Sequence, residues 1–324
     1  MKSILGIGNA LVDILAITKD DSLLEKYSLP KGSMQHVNEQ RANEVYYDLK
    51  DIGASVVTGG SAANTIAGIS QLGLKTGFLG KVGDDELGNF YNSDIEQLGV
   101  KSFLIRGEKG TGRAMVVISP DSERTFAVYL GAAIEMTTND INPSIFDGYD
   151  CFHVEGYLLQ DHDLIETAMK TAYYKGHVIS IDLASYNVVE ENVDFLRYLI
   201  NNYANIVFAN EEEAKALTGK EPEQALAIIS ELCDIAIVKV GSKGSLVSEG
   251  SSIYQIDAGD VKPVDLTGAG DLYASGFLYG LTLGKDLETC AKTGTICASE
   301  VIQVVGTKLS GDSWNNLRTA INKL

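Results

Sequence analysis

Residues 264–277, VDLTGAGDLYASGF, carry the strongest chemical signal in this 324-residue chain. Gly268 and Gly270 flank Ala269 where an apolar helical pattern begins. Such a start turns the backbone tightly, so successive N–H groups converge at a helix N-terminus, where free donors and the helix dipole favour an anion. Asp271 follows in the first helical turn, aimed at the same place. A carboxylate there can act as general base for a hydroxyl proton, and Asp is also an ordinary residue at helix starts. Spacing leaves both readings open, because a base must lie within about 2.6–3.2 Å of the proton it takes.

Four weaker segments accompany it. In GGSAANTIAGISQLG, residues 59–73, a Gly-Gly pair opens a helix and permits close approach by a ligand. Asn64 then lies near the first turn, within reach of a hydroxyl. NEEEA, residues 210–214, follows the apolar run IVFA. Carboxylates at a strand's C-terminal end suit Mg²⁺ carried with phosphates, and acidic first-turn residues also suit the helix dipole. KVGSKGS, residues 239–245, reads as a glycine turn beside a nucleotide or as a hairpin into SLVSE. GIGNALVD, residues 6–13, begins like a dinucleotide fingerprint, but Leu11 stands where the third glycine belongs. Asp13 instead suits a carboxylate at the end of the first strand, accepting two hydrogen bonds from a vicinal diol. No GxxxxGK[ST] phosphate loop occurs.

The elements that must position these residues alternate. Strand-like runs at 4–7, 75–79, 151–154, 178–181, 205–209 and 235–240 are separated by helical patterns at 62–72, 86–98, 164–174, 211–217 and 223–232. That rhythm predicts an α/β core in three layers, with a mostly parallel sheet between helices. The last third turns helical. Residues 101–131 read as strands alone, with PDSE as a hairpin turn, and 14–36 lack helical periodicity. We expect a core of residues 1–13, 37–98 and 132–324, and a small β lid of 14–36 and 99–131.

Composition narrows the partners. With 44 acidic against 26 basic residues the formal charge is −18, which repels nucleic acid. No apolar stretch is long enough to span a membrane. Asn9 and Asp13 interrupt the apolar N-terminus and no cleavage site follows, so a secretory signal is not expected. Cys151, Cys233, Cys290 and Cys297 show no metal-ligand spacing; reduced, buried thiols point to the cytoplasm.

Taken together, GGSAANTIAG with GFLGKVGDDELG, and DLTGAGD, resemble the two signatures of the ribokinase-like (PfkB) family of sugar and nucleoside kinases. The resemblance spans essentially the whole chain. GNALVDI, KYSLPKG and TGRAMVVISPDSERTFAVYLGAA are most similar to the adenosine kinase branch. It implies a ribokinase-like fold and an ATP-dependent, Mg²⁺-requiring kinase acting on a terminal CH₂OH, most similar to one using the 5′-hydroxyl of adenosine or a related nucleoside. A monomer or homodimer is the implied assembly.

Residue by residue, the resemblance implies Asp271 as base, Gly268, Ala269 and Gly270 as anion hole, and Arg124 reaching from the lid to the transferred phosphoryl. Asn9, Asp13, Gly60 and Asn64 would hold ribose hydroxyls. Met34, His36, Phe126 and Tyr186 would wall the base, although ASYN around Tyr186 lacks the family's proline. Lys239, Gly241, Gly244 and Thr267 would lie by ATP, with Asn210 and Glu213 organising Mg²⁺ largely through water. Asp265, Thr267, Gly306 and Ser310 match a monovalent-cation (K⁺) site. Competing readings are a ribokinase- or fructokinase-type sugar kinase, a non-catalytic ligand-binding relative, and a nicotinamide-dependent oxidoreductase. The intact DLTGAGD and the incomplete GIGN fingerprint speak against the last two.

Overall fold

The computed structural model describes residues 3–121 and 123–324. Met1 and Lys2, which open the N-terminal segment and the expected core span, lie outside the described residues, as does Ser122 of the PDSE turn.

Among the described residues a nine-stranded sheet forms the core, in the order β14-β13-β12-β11-β10-β9-β1-β5-β6. Its central strands are β1 (Ser3–Ile7), β5 (Lys75–Gly83), β9 (Cys151–Glu155), β10 (Val178–Asp182), β11 (Ile206–Asn210) and β12 (Ile235–Lys239). They pair in parallel, with β6 (Val100–Gly107) on one edge. The antiparallel hairpin strands β13 (Ser245–Glu249) and β14 (Ser252–Ile256) close the other.

These strands are buried almost throughout, with successive side chains pointing to opposite faces, as a sheet covered on both sides requires. Ile4, Phe78, Cys151, Phe208 and Ile237 pack under helices Ser61–Gln71, Ala269–Thr282 and Leu287–Val301. Leu5, Leu79, Phe152, Val207 and Ala236 face the opposite layer, which contains helices His162–Tyr174 and Glu211–Thr218. This is the three-layer α/β core that the alternating pattern predicts. Among the described residues no helix is long and apolar enough to cross a membrane.

The small sheet departs from the expected strand set. Its order is β3-β8-β7-β2-β4, from β2 (Leu11–Ile17), β3 (Met34–His36), β4 (Ser55–Gly59), β7 (Gly112–Ile118) and β8 (Arg124–Tyr129). The SFLIR segment therefore belongs to the large sheet, where β6 pairs with β5 over Thr76–Gly83. The intervening helix Glu86–Gln97 supplies the crossover a parallel pair needs. Residues 39–59, expected in the core, supply a helix, Glu39–Asp51, and β4 to the small sheet. Asp13 does not end the first strand. The turn Gly8–Ala10 separates β1 from β2, and Asp13 sits inside β2 between Val57 and Ala114.

One face of the small sheet packs Val12, Ile14, Met115 and Val117 against Ala42, Val45 and Leu49 of that helix. The other gathers Leu15, Val116, Ile118, Val57 and Phe126 into a separate apolar cluster.

The helix carrying Asp271 is fixed from behind by close backbone packing. A Cβ on Gly276 would approach the Thr293 carbonyl to 2.5 Å and Gly294 Cα to 2.8 Å. We expect Gly276→Leu to force these helices apart, lowering stability in urea unfolding by about 1–3 kcal/mol. An unchanged midpoint would show that the packing has slack.

Candidate active site

The order of strands in the large sheet reverses at β1, with β5 and β6 on one side and β9 to β12 on the other. Ligands of open α/β sheets bind at the carboxyl ends of strands flanking such a reversal. The carboxyl ends of β10, β11 and β12 here place Asp182, Asn210 and Lys239 around one crevice, with Glu155 ending β9 and Asn9 just past β1, both buried.

Asp271 stands at its centre. Gly268 is the N-cap of helix Ala269–Thr282 in the left-handed region (φ 75°), and no side chain caps that helix. Ala269 N–H donates to the Leu266 carbonyl at 3.2 Å, so its amide is engaged. Gly270 and Asp271 supply the remaining first-turn amides of the proposed anion hole. The Asp271 carboxylate accepts from Ser61 Oγ at 2.8 Å and from Asn64 Nδ2 at 2.9 Å. Both donors ride on helix Ser61–Gln71, whose N-cap, Gly60, has φ 97°. A side chain there is excluded twice over, since a Cβ would also meet the Asn9 carbonyl at 2.3 Å. Two helix N-termini thus converge on one carboxylate.

Carboxylates crowd this point. Burial, followed by hydrogen bonding from Asn64 and repulsion from Asp182, leaves Asp271 with a pKa of about 6. Asp13, raised by burial and then by Asp271, reaches about 7. Glu155 is buried and accepts from Ala62 N at 2.9 Å and Asn9 N at 3.3 Å. Burial dominates there too, and its pKa is about 7. Lys239 is the counter-charge, with Nζ 2.9 Å from Asp182 Oδ2. Burial works against its ammonium, but Asp182 and Glu213 outweigh that and raise its pKa.

A cavity of about 830 Å³ opens beside Asp271, lined by Ala269, Gly270, Asn210, Lys239, Gly241 and Gly244 among others. The expected hairpin and the expected nucleotide turn are the same feature: β12 and β13 pair antiparallel, and their glycine turn faces this cavity. The far end is walled by Ala258, Val261, Pro263, Ala298 and Ile302, which the sequence reading missed. It also missed Glu155, Asp182 and Ser61. The first two end the strands CFHVE and VISID, so the reading applied to NEEEA would have found them.

On the other side of Asp271 lies the small sheet. Register places Asp13, Leu15, Val57, Val116, Phe126, Met34 and His36 on one face of it. Tyr186 is 43% exposed at the start of helix Tyr186–Tyr203. Arg124 reaches down from β8, but to the loop preceding the anion hole. It donates to Thr267 Oγ1 at 2.6 Å and pairs with Asp265 Oδ2 at 2.5 Å.

The donor sets decide which ions fit. Both Glu213 oxygens accept from Asn210, from its backbone N–H at 2.8 Å and from Nδ2 at 2.7 Å. Among the described residues no group of three or more His, Cys, Asp or Glu is placed to hold a metal. Asn210 and Glu213 therefore fit Mg²⁺ only through water, with the ion arriving on phosphates. Asp265 Oδ1 accepts from Thr267 N–H, and Oδ2 from Gly306 N–H and Arg124. Ser310 Oγ accepts from Ser313 N–H as a helix cap. These contacts engage the side chains of Asp265 and Ser310; the monovalent-cation site that the resemblance implies rests on the backbone of these loops, and no step is assigned to it.

A partly buried carboxylate beside an uncapped helix start, opening on a nucleotide-sized cleft, is the arrangement of a phosphotransferase with an alcohol acceptor. Comparison with known proteins agrees. The pattern of the pfkB family carbohydrate kinases matches residues 40–314, and the chain belongs to that family. It is 36% identical to the adenosine kinase of Sinorhizobium meliloti, with a TM-score of 0.88 over 98% of this chain and 99% of that one. A probable sugar kinase of Rhizobium etli gives 33% identity and a TM-score of 0.88, covering 98% of each chain. The 5-dehydro-2-deoxygluconokinase of Bacillus licheniformis is 30% identical over 76% of this chain and 81% of its own.

A general base works only when ionised, and burial has moved Asp271 up to about 6. We expect kcat to fall as pH drops through about 6, by tenfold per unit below it. A kcat flat to pH 5 would remove Asp271 from that role.

Proposed function

We propose that this kinase transfers the γ-phosphoryl of ATP to the 5′-hydroxyl of adenosine or a related nucleoside. ATP occupies the large cavity, its phosphates toward Gly270 and its base toward the apolar far end. The nucleoside lies between Asp271 and the small sheet. Asp13 and Asn64, with Asn9 and Gly60 beside them, hold the ribose hydroxyls, so that the terminal CH₂OH faces the γ-phosphoryl. Asp271 accepts the hydroxyl proton as the oxygen attacks in line. The amides of Gly270 and Asp271 and the Arg124 guanidinium neutralise the developing charge, Arg124 leaving Asp265 to do so. Asn210 and Glu213 would hold Mg²⁺ through water, where the ion would supply further neutralisation of phosphate charge. Closure of the small sheet over this pocket excludes water, the competing acceptor.

One observation carries the nucleoside reading: the apolar cluster of Leu15, Val57, Val116, Ile118 and Phe126 faces the same way as Asp13. A purine offers an apolar ring to such a wall. A free sugar would leave hydroxyls unpaired against it, which is costly when water is excluded. The relationship to adenosine kinases supports the same choice. Sugar kinases among the relatives make free sugars the competing acceptors.

ADP release measured against adenosine, other nucleosides, ribose, fructose and 5-dehydro-2-deoxygluconate tests this. We expect kcat/KM for adenosine to exceed that for any free sugar by about 10² or more; turnover confined to free sugars would overturn the nucleoside assignment. For Arg124→Ala we expect kcat to fall by about 10² with a smaller change in nucleoside Kd. An unchanged rate would leave Arg124 with its ion pair alone.

A further inference from the structure

Among the described residues that line the large cavity, Lys239 is the one cation, facing Asp182, Glu211, Glu212, Glu213 and Asp271. A polyphosphate entering there meets an acidic wall with a single compensating charge. The position of that charge is fixed. Lys239 ends β12, and its side chain crosses the end of β11 to pair with Asp182 at the end of β10. Asp182 is anchored in turn, its Oδ1 accepting from Ala184 N–H at 3.0 Å. That bond holds a tight turn in which Ala184 takes φ 67°, a conformation that side chains other than glycine seldom adopt. The ammonium is thereby pressed against the anion hole: a Cβ on Gly270 would lie 3.0 Å from Nζ.

We propose that Lys239, clamped by Asp182 against Gly270, is a catalytic cation that meets the transferring phosphoryl, and that Asp182 is the positioning residue that holds it there. The proposal rests on the reading of Asp271 as base. In the step, the acceptor oxygen forms its bond to the γ-phosphorus while the bridging P–O bond to ADP breaks. The hydroxyl proton passes to Asp271, and Lys239 balances charge on the phosphoryl oxygens throughout. An unpaired ammonium on four carbons would have several rotamers to choose from. The ion pair removes that freedom before substrate arrives, which is the preorganisation that electrostatic catalysis needs.

The pair also acts on Asp271 with opposite signs. Lys239 favours its ionised form and Asp182 disfavours it. Other groups facing Asp271 are Asp13 from β2, Glu155 and Tyr157 from β9 and the turn after it, and Ser61 and Asn64 from helix Ser61–Gln71. Removing either partner breaks the same salt bridge, so a purely structural role would affect both variants alike. An electrostatic role separates them.

The test is the kcat–pH profile of wild type, Lys239→Met, Lys239→Arg and Asp182→Asn, with ADP release read at saturating substrates. Lys239→Met should lose at least tenfold in kcat, and its acid limb should move to higher pH. In Asp182→Asn the acid limb should move to lower pH, and in Lys239→Arg it should stay near wild type. Limbs that move together, or not at all, would overturn the proposal while leaving the kinase intact. Should Lys239→Met fail to fold by thermal denaturation, the other two variants decide: an Asp182→Asn limb that does not move down overturns it. A wild type with no acid limb would instead remove Asp271 as base, and this proposal with it.

Discussion

The structure depends on one carboxylate held between two helix starts. Asp271 opens helix Ala269–Thr282 and accepts from Ser61 and Asn64, which open helix Ser61–Gln71. Much else follows from that convergence. Gly60 must be left-handed to bring the second helix close. Glu155 is buried beneath, where the amides of Asn9 and Ala62 donate to it. Thr307 adds a further brace, donating to Asn64 Oδ1 at 3.3 Å. Ser275 ties the two helices deeper down, donating to the Thr65 carbonyl at 2.8 Å.

This convergence costs stability. Asp13, Glu155, Glu213 and Asp271 are all pushed up by burial, and Lys239 is a counter-charge to Glu213 and Asp271. Buried charges without full compensation oppose folding, and active sites are where such opposition is tolerated. Here it has a use. A base poised near pH 6 is ionised at neutral pH, yet basic enough to draw a proton from a hydroxyl as the oxygen attacks. Offsetting stability comes from behind the site, where helix Leu287–Val301 packs closely against the one that carries Asp271.

What could be read from the sequence was local. DLTGAGD and GGSAAN announce glycine-opened helices, because φ and capping preferences act over a few residues. The strand–helix rhythm announced the parallel sheet for the same reason. The small sheet was less legible because its pairing is remote: β2 lies beside β7, with Asp13 opposite Ala114. Nothing within either segment specifies that choice, and SFLIR reads equally well as a strand of either sheet. The Lys239–Asp182 pair, 57 residues apart, exists only because β10, β11 and β12 are neighbours. Arg124 was legible as a lid residue; its partner Asp265 was not, since their meeting depends on how the two sheets face each other.

The central claim is that Asp271 takes the proton and does not merely shape the site. Asp271→Asn tests it most directly, with ATP affinity measured by titration alongside single-turnover phosphoryl transfer. Asn keeps the size of the side chain and an acceptor for Ser61 but cannot take a proton. The account predicts ATP binding close to wild type and a transfer rate lower by at least about 10². A variant that transfers phosphoryl at a near wild-type rate would contradict it.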